Sequence, residues 1–240
     1  MRQDLRPYRI KRAALWFERW YANHFLRPQF DGLGSHPLFM KPWNISVHGP
    51  NIHLGEQIHI ITARDRKVCF TVWQFESHCG EIRIGDYCLI SPGVRMDSAS
   101  GIHIGRNSMI ASGAYLTDAD WHDIYDRPRA IGTTRPIRLG ENVWIGDQAI
   151  ICKGVEIGDN TVVGTGSIVT SSLPANVIAG GNPARVIKPL DPDKPIRTRA
   201  DLLADPVALS AEMDALDRYL LGGNGYLNWL RSLIRPGSKD

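Results

Sequence analysis

The stretch from Leu139 to Thr170 reads LGENVWIGDQAIICKGVEIGDNTVVGTGSIVT. An aliphatic residue falls on every sixth position, at Leu139, Ile145, Ile151, Ile157, Val163 and Val169. The residues that follow are Gly140, Gly146, Cys152, Gly158, Gly164 and Thr170. Apolar residues recur every three to four positions in an amphipathic helix and every two in a half-buried strand. A spacing of six matches neither. It matches a chain that runs a short strand, turns a corner, runs another, and stacks each circuit on the last. The aliphatic residue of each hexad then completes the core of its neighbour. Glycine is expected at a corner because it reaches φ > 0 without steric cost. The register predicts an all-β solenoid, and its interruptions are where function is sought.

The pattern extends towards the N-terminus. Ile52-His53-Leu54-Gly55, Ile82-Arg83-Ile84-Gly85 and Ile102-His103-Ile104-Gly105 share the form aliphatic-x-aliphatic-Gly. Hexads run from Ile84 to Ile90 and Met96, then restart at Ile104, Ile110 and Leu116. No coil can be assigned across 62–80, and the frame is lost from Thr117 to Pro136 before it resumes at Ile137. An excursion of that length inside a compact repeat domain is a candidate functional loop. Beyond Val169 the pattern decays through Pro174 to GNPARVIK, Gly181 to Lys188, and a linker with Pro189, Pro192 and Pro195 follows. The expected layout is an N-terminal helical extension over 1–43, a solenoid over 44–190 and a linker with a C-terminal helix over 191–240.

Residues 8–27 carry Ile10, Ala13, Ala14, Phe17, Tyr21 and Phe25 at helical spacing, flanked by Trp16 and Trp20. The other face is basic, with Arg9, Lys11, Arg12, Arg19 and Arg27. A terminal repeat must hide a core edge, so this helix is expected to cap the open end of the solenoid. Lying on an anionic membrane surface is the second reading. Near the other terminus, Leu209, Met213, Leu216 and Leu220 place a helix within 201–221, packed on the solenoid or on a partner subunit.

Composition sets bounds. Of 240 residues 43% are hydrophobic and 22% charged, as in soluble globular proteins. The net charge of +3 is too weak to make nucleic acid an expected partner. No apolar run is long enough to span a bilayer, and MRQDLRPYRIKR lacks the apolar core of an export signal. Cys69, Cys79, Cys88 and Cys152 form no CxxC pair and are read as small core-filling thiols in a reducing compartment, the cytoplasm.

The run ENVWIGDQAIICKGVEIGDNTVVGTGSIVTSSLPANVIAGGNPARVIK, Glu141 to Lys188, resembles the hexapeptide-repeat acyltransferases, and within them the galactoside, maltose and xenobiotic O-acetyltransferases. The resemblance extends more weakly back to about Asn51 and covers neither the first 45 residues nor the last 50. It implies a left-handed parallel β-helix, an exception to the right-handed crossover rule. It also implies a homotrimer with active sites between subunits, and acetyl-CoA as acyl donor.

The excursion reads Thr117-Asp118-Ala119-Asp120-Trp121-His122-Asp123-Ile124-Tyr125-Asp126-Arg127. Moving an acyl group from a thioester to a hydroxyl needs a base near neutral pH, and imidazole is suited to that task. His122 is the one histidine of the excursion, and relatives carry their catalytic histidine at the matching break, within two residues of it. A general base also needs an orienter. Asp120 and Asp123 are candidates, as are Asp118, Asp126 and a carbonyl oxygen. Trp121 and Tyr125 are candidates to stack on a sugar face or to anchor the loop. Asp97, directly after the inward Met96, is the candidate for holding the acceptor, against capping a corner.

By motif match, Asp147 would contact the pantetheine end of CoA, Thr165 would line its tunnel, and Thr170 and Ser171 would lie near the adenosine. Arg185 and Lys188 would supply cations for the phosphates. Trp144 reads as a structural plug. A three-histidine zinc site of the kind this fold can carry has no support: His103 and His122 stand alone in their segments, and no metal is expected. The leading expectation is an acetyl-CoA-dependent O-acetyltransferase acting on a saccharide or polysaccharide precursor. From another class, a non-catalytic β-helix serving as an assembly or membrane-docking module is the alternative.

Overall fold

The structure, a computed structural model, describes residues 3–75 and 78–237. Its centre is a three-faced parallel β-helix. Gly32–Leu33, Ile52–Leu54, Ile82–Ile84, Ile102–Ile104, Ile137–Leu139 and Glu156–Ile157 stack in that order as the first face. Leu38–Met40, His59–Ile61, Leu89–Ile90, Met109–Ile110, Trp144–Ile145, Val162–Val163 and Val177–Gly181 form the second. Ile45–His48, Val68–Val72, Arg95–Ser98, Tyr115–Thr117, Ile150–Ile151 and Ile168–Val169 form the third. Along these faces each coil pairs in parallel with the next, so Ile110 sits on Ile145 and Ile145 on Val163.

All six aliphatic residues of the Leu139–Val169 register are buried in one continuous core with Ile90, Met96, Ile110 and Leu116. Full burial of each such side chain contributes about 1.5–3 kcal/mol. The glycines that follow them have a different cause from the expected one. They do not have positive φ; left-handed corners fall instead at residues such as Tyr87, Asn107, Asn142, Gln148 and Asn160. Gly146 is required by close approach: a Cβ there would lie 2.6 Å from the Val163 carbonyl oxygen and 2.7 Å from the Thr165 amide of the next coil. Asparagine tolerates the left-handed region, and here it also forms a ladder, with Asn142 donating to Asn160 at 3.0 Å and Asn160 to Asn176 at 2.9 Å.

The coils start earlier than Asn44, because Gly32–Leu33 and Leu38–Met40 pair with the strands of the next coil. The stretch 62–80 holds the strand Val68–Val72 and a hairpin of Gln74–Phe75 against His78–Cys79, whose tip at 76–77 lies outside the described residues. At the far end Val177–Gly181 and Ala184–Pro189 close the solenoid as an antiparallel hairpin.

Within the expected 8–27 cap Ala22 and Leu26 are buried, whereas helix α1, Tyr8–Tyr21, buries no residue. The cap is the segment after it: Leu26 and Phe30 enter the core, and Phe30 packs edge-on against Phe70 at 6.2 Å. The C-terminal segment returns along the corner between first and second faces, where Arg199 Nε donates to the Tyr87 carbonyl and Asn107 accepts from the Ala200 amide. It forms α2, Arg199–Leu202, and α3, Pro206–Leu221, which packs on α1 through Arg12–Asp214 at 3.0 Å. A further helix, α4, Tyr226–Ile234, lies beyond the segment in which the sequence pattern marks a helix. No helix among the described residues is long and apolar enough to cross a membrane.

The four cysteines are free, but only Cys88 is a core thiol: burial pushes it up to about 12, and its Sγ lies 3.2 Å from the Gly105 carbonyl. Cys79 is exposed, which corrects the expectation of core filling. Trp144 is likewise not a plug, because outward-facing positions of the second face leave it 47% exposed.

Candidate active site

The strand Tyr115–Thr117 ends where the hexad frame ends, and Ile137–Leu139 resumes it. Between them the chain leaves the corner between third and first faces as a closed loop. Its neck is antiparallel: the Asp120 amide donates to Thr133, Gly132 to Asp120 and Arg135 to Asp118. A buried carboxylate fixes the neck to the solenoid. Asp118 accepts from Ser98 Oγ at 2.7 Å and from the amides of Ala99 at 2.7 Å, Ser100 at 2.9 Å and Gly101 at 2.5 Å. Four donors satisfy a carboxylate that would be costly to bury alone. Asp118 is thus committed to holding the loop.

Above the neck, Trp121 Nε1 donates to Thr117 Oγ1 at 3.0 Å. The Trp121 ring packs on the small cluster of Ala99, Ala119 and Ile131, with Phe75 beside it and Trp73 6.0 Å away. Both excursions, at 73–81 and 118–136, therefore rise from one corner and pack together. These are the contacts of a loop anchor. Tyr125, at 96% exposure, has none of them.

His122 is exposed on this platform. Its carbonyl sits over Gly132, where a Cβ would lie 2.6 Å from that oxygen. Within the chain neither expected carboxylate reaches its ring. Asp120 pairs with Lys153 of the next coil at 2.7 Å. Asp123 accepts from the amides of Tyr125 at 2.9 Å and Asp126 at 3.0 Å, and the Asp126 and Tyr125 amides hold its carboxyl below the ordinary range. Both shape the loop. Among the described residues no side chain forms a hydrogen bond or ion pair with His122.

Asp97 stands on the outer side of the third face, between Thr71 and Thr117 in register. It is 1% exposed, and its Oδ2 accepts from Tyr115 at 2.9 Å and from Arg95 at 2.5 Å. Oδ1 is buried and, among the described residues, has no partner. A buried carboxylate oxygen left without a donor is uncommon. Sequence reasoning missed a second pair, His103 Nε2 3.1 Å from Glu81 Oε1. Burial holds His103 below the ordinary imidazole value even though Glu81 opposes it. His103 lies in a register column with His53, Arg83 and Arg138 along an open depression of about 510 Å3 on the first face. Only the parallel pairing brings these four together, so no single segment signals them.

Asp147 and Thr165 meet at the corner between second and third faces, where the Gly166 amide donates to the Asp147 carbonyl at 2.8 Å. That edge continues into the terminal hairpin, where Gly181 donates to Ser167 Oγ at 3.2 Å and Arg185 pairs with Gly180. Lys188, exposed in the same hairpin, pairs with Ile178. Thr170 and Ser171 are exposed at the opposite corner, on the edge that carries the loop. Within one chain the Asp147 edge and His122 thus lie on opposite sides of the third face. No group of three metal-ligating side chains occurs among the described residues.

A hexad solenoid interrupted by one anchored histidine loop defines the class of protein to which this chain is compared. The family described as bacterial transferase hexapeptide (six repeats) matches residues 136–171, and the hexapeptide repeat of succinyl-transferase matches 81–118. The galactoside O-acetyltransferase of Escherichia coli K12 is 37% identical over 134 residues, covering 46% of this chain and 66% of that enzyme, so the alignment spans part of each. A maltose O-acetyltransferase structure from Clostridium difficile 630 is 32% identical, covers 69% of this chain and 73% of that one, and has a TM-score of 0.47. AntD, an N-acyltransferase from Bacillus cereus solved with a dTDP-amino sugar and coenzyme A, has a TM-score of 0.58 at 23% identity over 80% of this chain and 94% of its own. The chain belongs to the hexapeptide-repeat acyltransferase family.

Proposed function

We propose that this protein is a CoA-dependent O-acetyltransferase that moves an acetyl group from acetyl-CoA to a hydroxyl of a saccharide or polysaccharide precursor, with His122 as general base. One observation carries the reading. The break in the hexads is a loop locked to the core by Asp118, braced by Lys153–Asp120, and it presents one exposed imidazole. A solvated loop with no task has no need of a four-donor buried anchor.

The coils wind left-handed in this reading. The donor lies along the edge of Asp147 and Thr165, where glycines keep the corner open, and its phosphates meet Arg185 and Lys188 of the terminal hairpin. Thr170 and Ser171 flank the adenosine from the loop-bearing edge. Because His122 and the Asp147 edge lie on opposite sides of the third face, a complete site takes the loop of one copy and the donor edge of the next, which favours the homotrimer. A neighbouring copy or a carbonyl oxygen then supplies the orienter that Asp120 and Asp123 do not. Asp97, whose buried Oδ1 has no donor among the described residues, holds the acceptor once the groups covering it move aside. The three parts of the chain are an N-terminal extension, the transferase solenoid and a C-terminal helical strap, and the free cysteines fit the cytoplasm.

In the reaction, the His122 imidazole takes the proton of the acceptor hydroxyl as its oxygen bonds to the thioester carbonyl carbon. The C–S bond then breaks, the acetyl group stays on the acceptor oxygen, and the imidazolium returns the proton to the departing CoA sulfur. Backbone amides are suited to stabilise the oxyanion formed on the way. The test is CoA release from acetyl-CoA across sugars, nucleotide sugars and amino sugars, with thermal stabilisation by CoA measured alongside. Turnover with a hydroxyl acceptor supports the reading. An intact fold that CoA does not stabilise favours the non-catalytic alternative.

A further inference from the structure

Helix α1 contributes little to the core, yet its outward side is not polar. Arg9, Arg12, Ala13, Trp16, Arg19 and Trp20 share one exposed stripe, since successive residues turn by about 100° in a helix. Trp16 is 67% exposed. Trp20 continues through Phe25 and Phe17 to Trp43, with ring centroids 5.6–6.1 Å apart. Three half-exposed tryptophans and two phenylalanines on one surface of a protein of this size call for an occupant.

The charges select the occupant. Lys11 and Arg12 face Asp217 and Asp214 of α3, but among the described residues Arg9 and Arg19 have no carboxylate within ion-pair distance. The stripe therefore joins cations to indoles: Arg9 and Arg12 lie on its first turns, and Trp16, Arg19 and Trp20 on its last. Anionic headgroups accept both components: arginines bind phosphate oxygens, and indoles prefer the hydrated boundary of a bilayer, with the ring in apolar surroundings and the N–H in water. Helix α4 begins beside the first turn of α1, where Asn224 Nδ2 donates to the Asp4 and Arg6 carbonyls, and it exposes Leu227, Leu230, Leu233 and Ile234.

We propose that the Trp–Arg stripe of α1 docks this protein on the surface of an anionic lipid bilayer. The helix lies along the interface and does not cross it. This inference does not depend on acyl transfer, because lipid binding is measured without a turnover.

The test is co-sedimentation of the full chain with vesicles of phosphatidylcholine containing phosphatidylglycerol, and with phosphatidylcholine alone. Light scattering follows the oligomeric state, and circular dichroism checks the fold. Wild-type protein should partition onto the phosphatidylglycerol vesicles, less so in high salt. Trp16→Ser with Trp20→Ser, or Arg9→Gln with Arg19→Gln, should weaken partition by about tenfold or more while the fold and oligomeric state persist. Absence of partition by the wild type, or partition of both double variants equal to that of the wild type, would overturn the proposal. So would a change in oligomeric state on removing the tryptophans, which would make the stripe an interface between copies.

Discussion

Asp118 and Ser98 are joined across adjacent coils by a 2.7 Å hydrogen bond at the corner where the hexad frame breaks. The same carboxylate gathers three backbone amides of 99–101, so one side chain ties two coils and the loop of 118–136 together. Removing it leaves those amides buried without partners. Asp118→Ala should therefore lower unfolding free energy by about 2–4 kcal/mol in urea titrations. Activity should fall further than stability alone dictates, because the loop loses its anchor.

The neck of the loop makes a sharper prediction at Gly132. A methyl there would meet the His122 carbonyl oxygen at 2.6 Å, which is backbone and has no rotamer to move. Gly132→Ala should shift His122 and reduce turnover by about tenfold or more, since misplacement by an ångström costs that much. The core coils are untouched, so the thermal midpoint should change little. Steady-state kinetics beside a melting curve checks both halves.

Lys153 and Asp120 pair at 2.7 Å with partly exposed side chains. Such a pair contributes up to about 1 kcal/mol to stability. Lys153→Ala and Asp120→Ala should each leave the fold intact, and a double-mutant cycle on turnover should show coupling, because both act on one loop. Additive effects would mean the pair does not brace it.

His59 supplies a pH dependence. Burial, with Arg199 nearby, lowers its imidazole from 6.5 to about 4. Between those values the unfolded chain binds a proton that the folded chain does not. Stability is therefore complete above about 6.5, falls as pH falls through this window, and levels off below about 4. The loss from this group is about 1–3 kcal/mol. His59→Gln should flatten the slope over the same window, read from urea midpoints, and His103 adds a smaller change of the same sign.

The sequence made the core legible because the hexad aliphatics point inward wherever the chain is regular; Leu139 to Val169 occupy the positions their spacing assigns. The loop was legible for the same reason, as a loss of frame. What it concealed were relations between distant coils. Nothing local distinguishes Asp118, which is an anchor, from Asp120 and Asp123, which differ only in whether Lys153 or the next turn reaches them. The glycine corners followed the pattern for a different reason, since the stacking distance between coils, not φ, excludes a Cβ at Gly146. Helix α1 showed its amphipathic stripe, but only packing reveals that its tryptophans remain outside while Leu26 and Phe30 close the core.

The central claim is that the imidazole of His122 takes the acceptor proton. His122→Ala tests it directly, in purified protein with acetyl-CoA and an acceptor identified from the sugar panel. Turnover should fall by about 10²–10⁴ while CoA still stabilises the fold to the same extent. Near-normal turnover in His122→Ala would contradict the account and move attention to the His103–Glu81 pair on the first face.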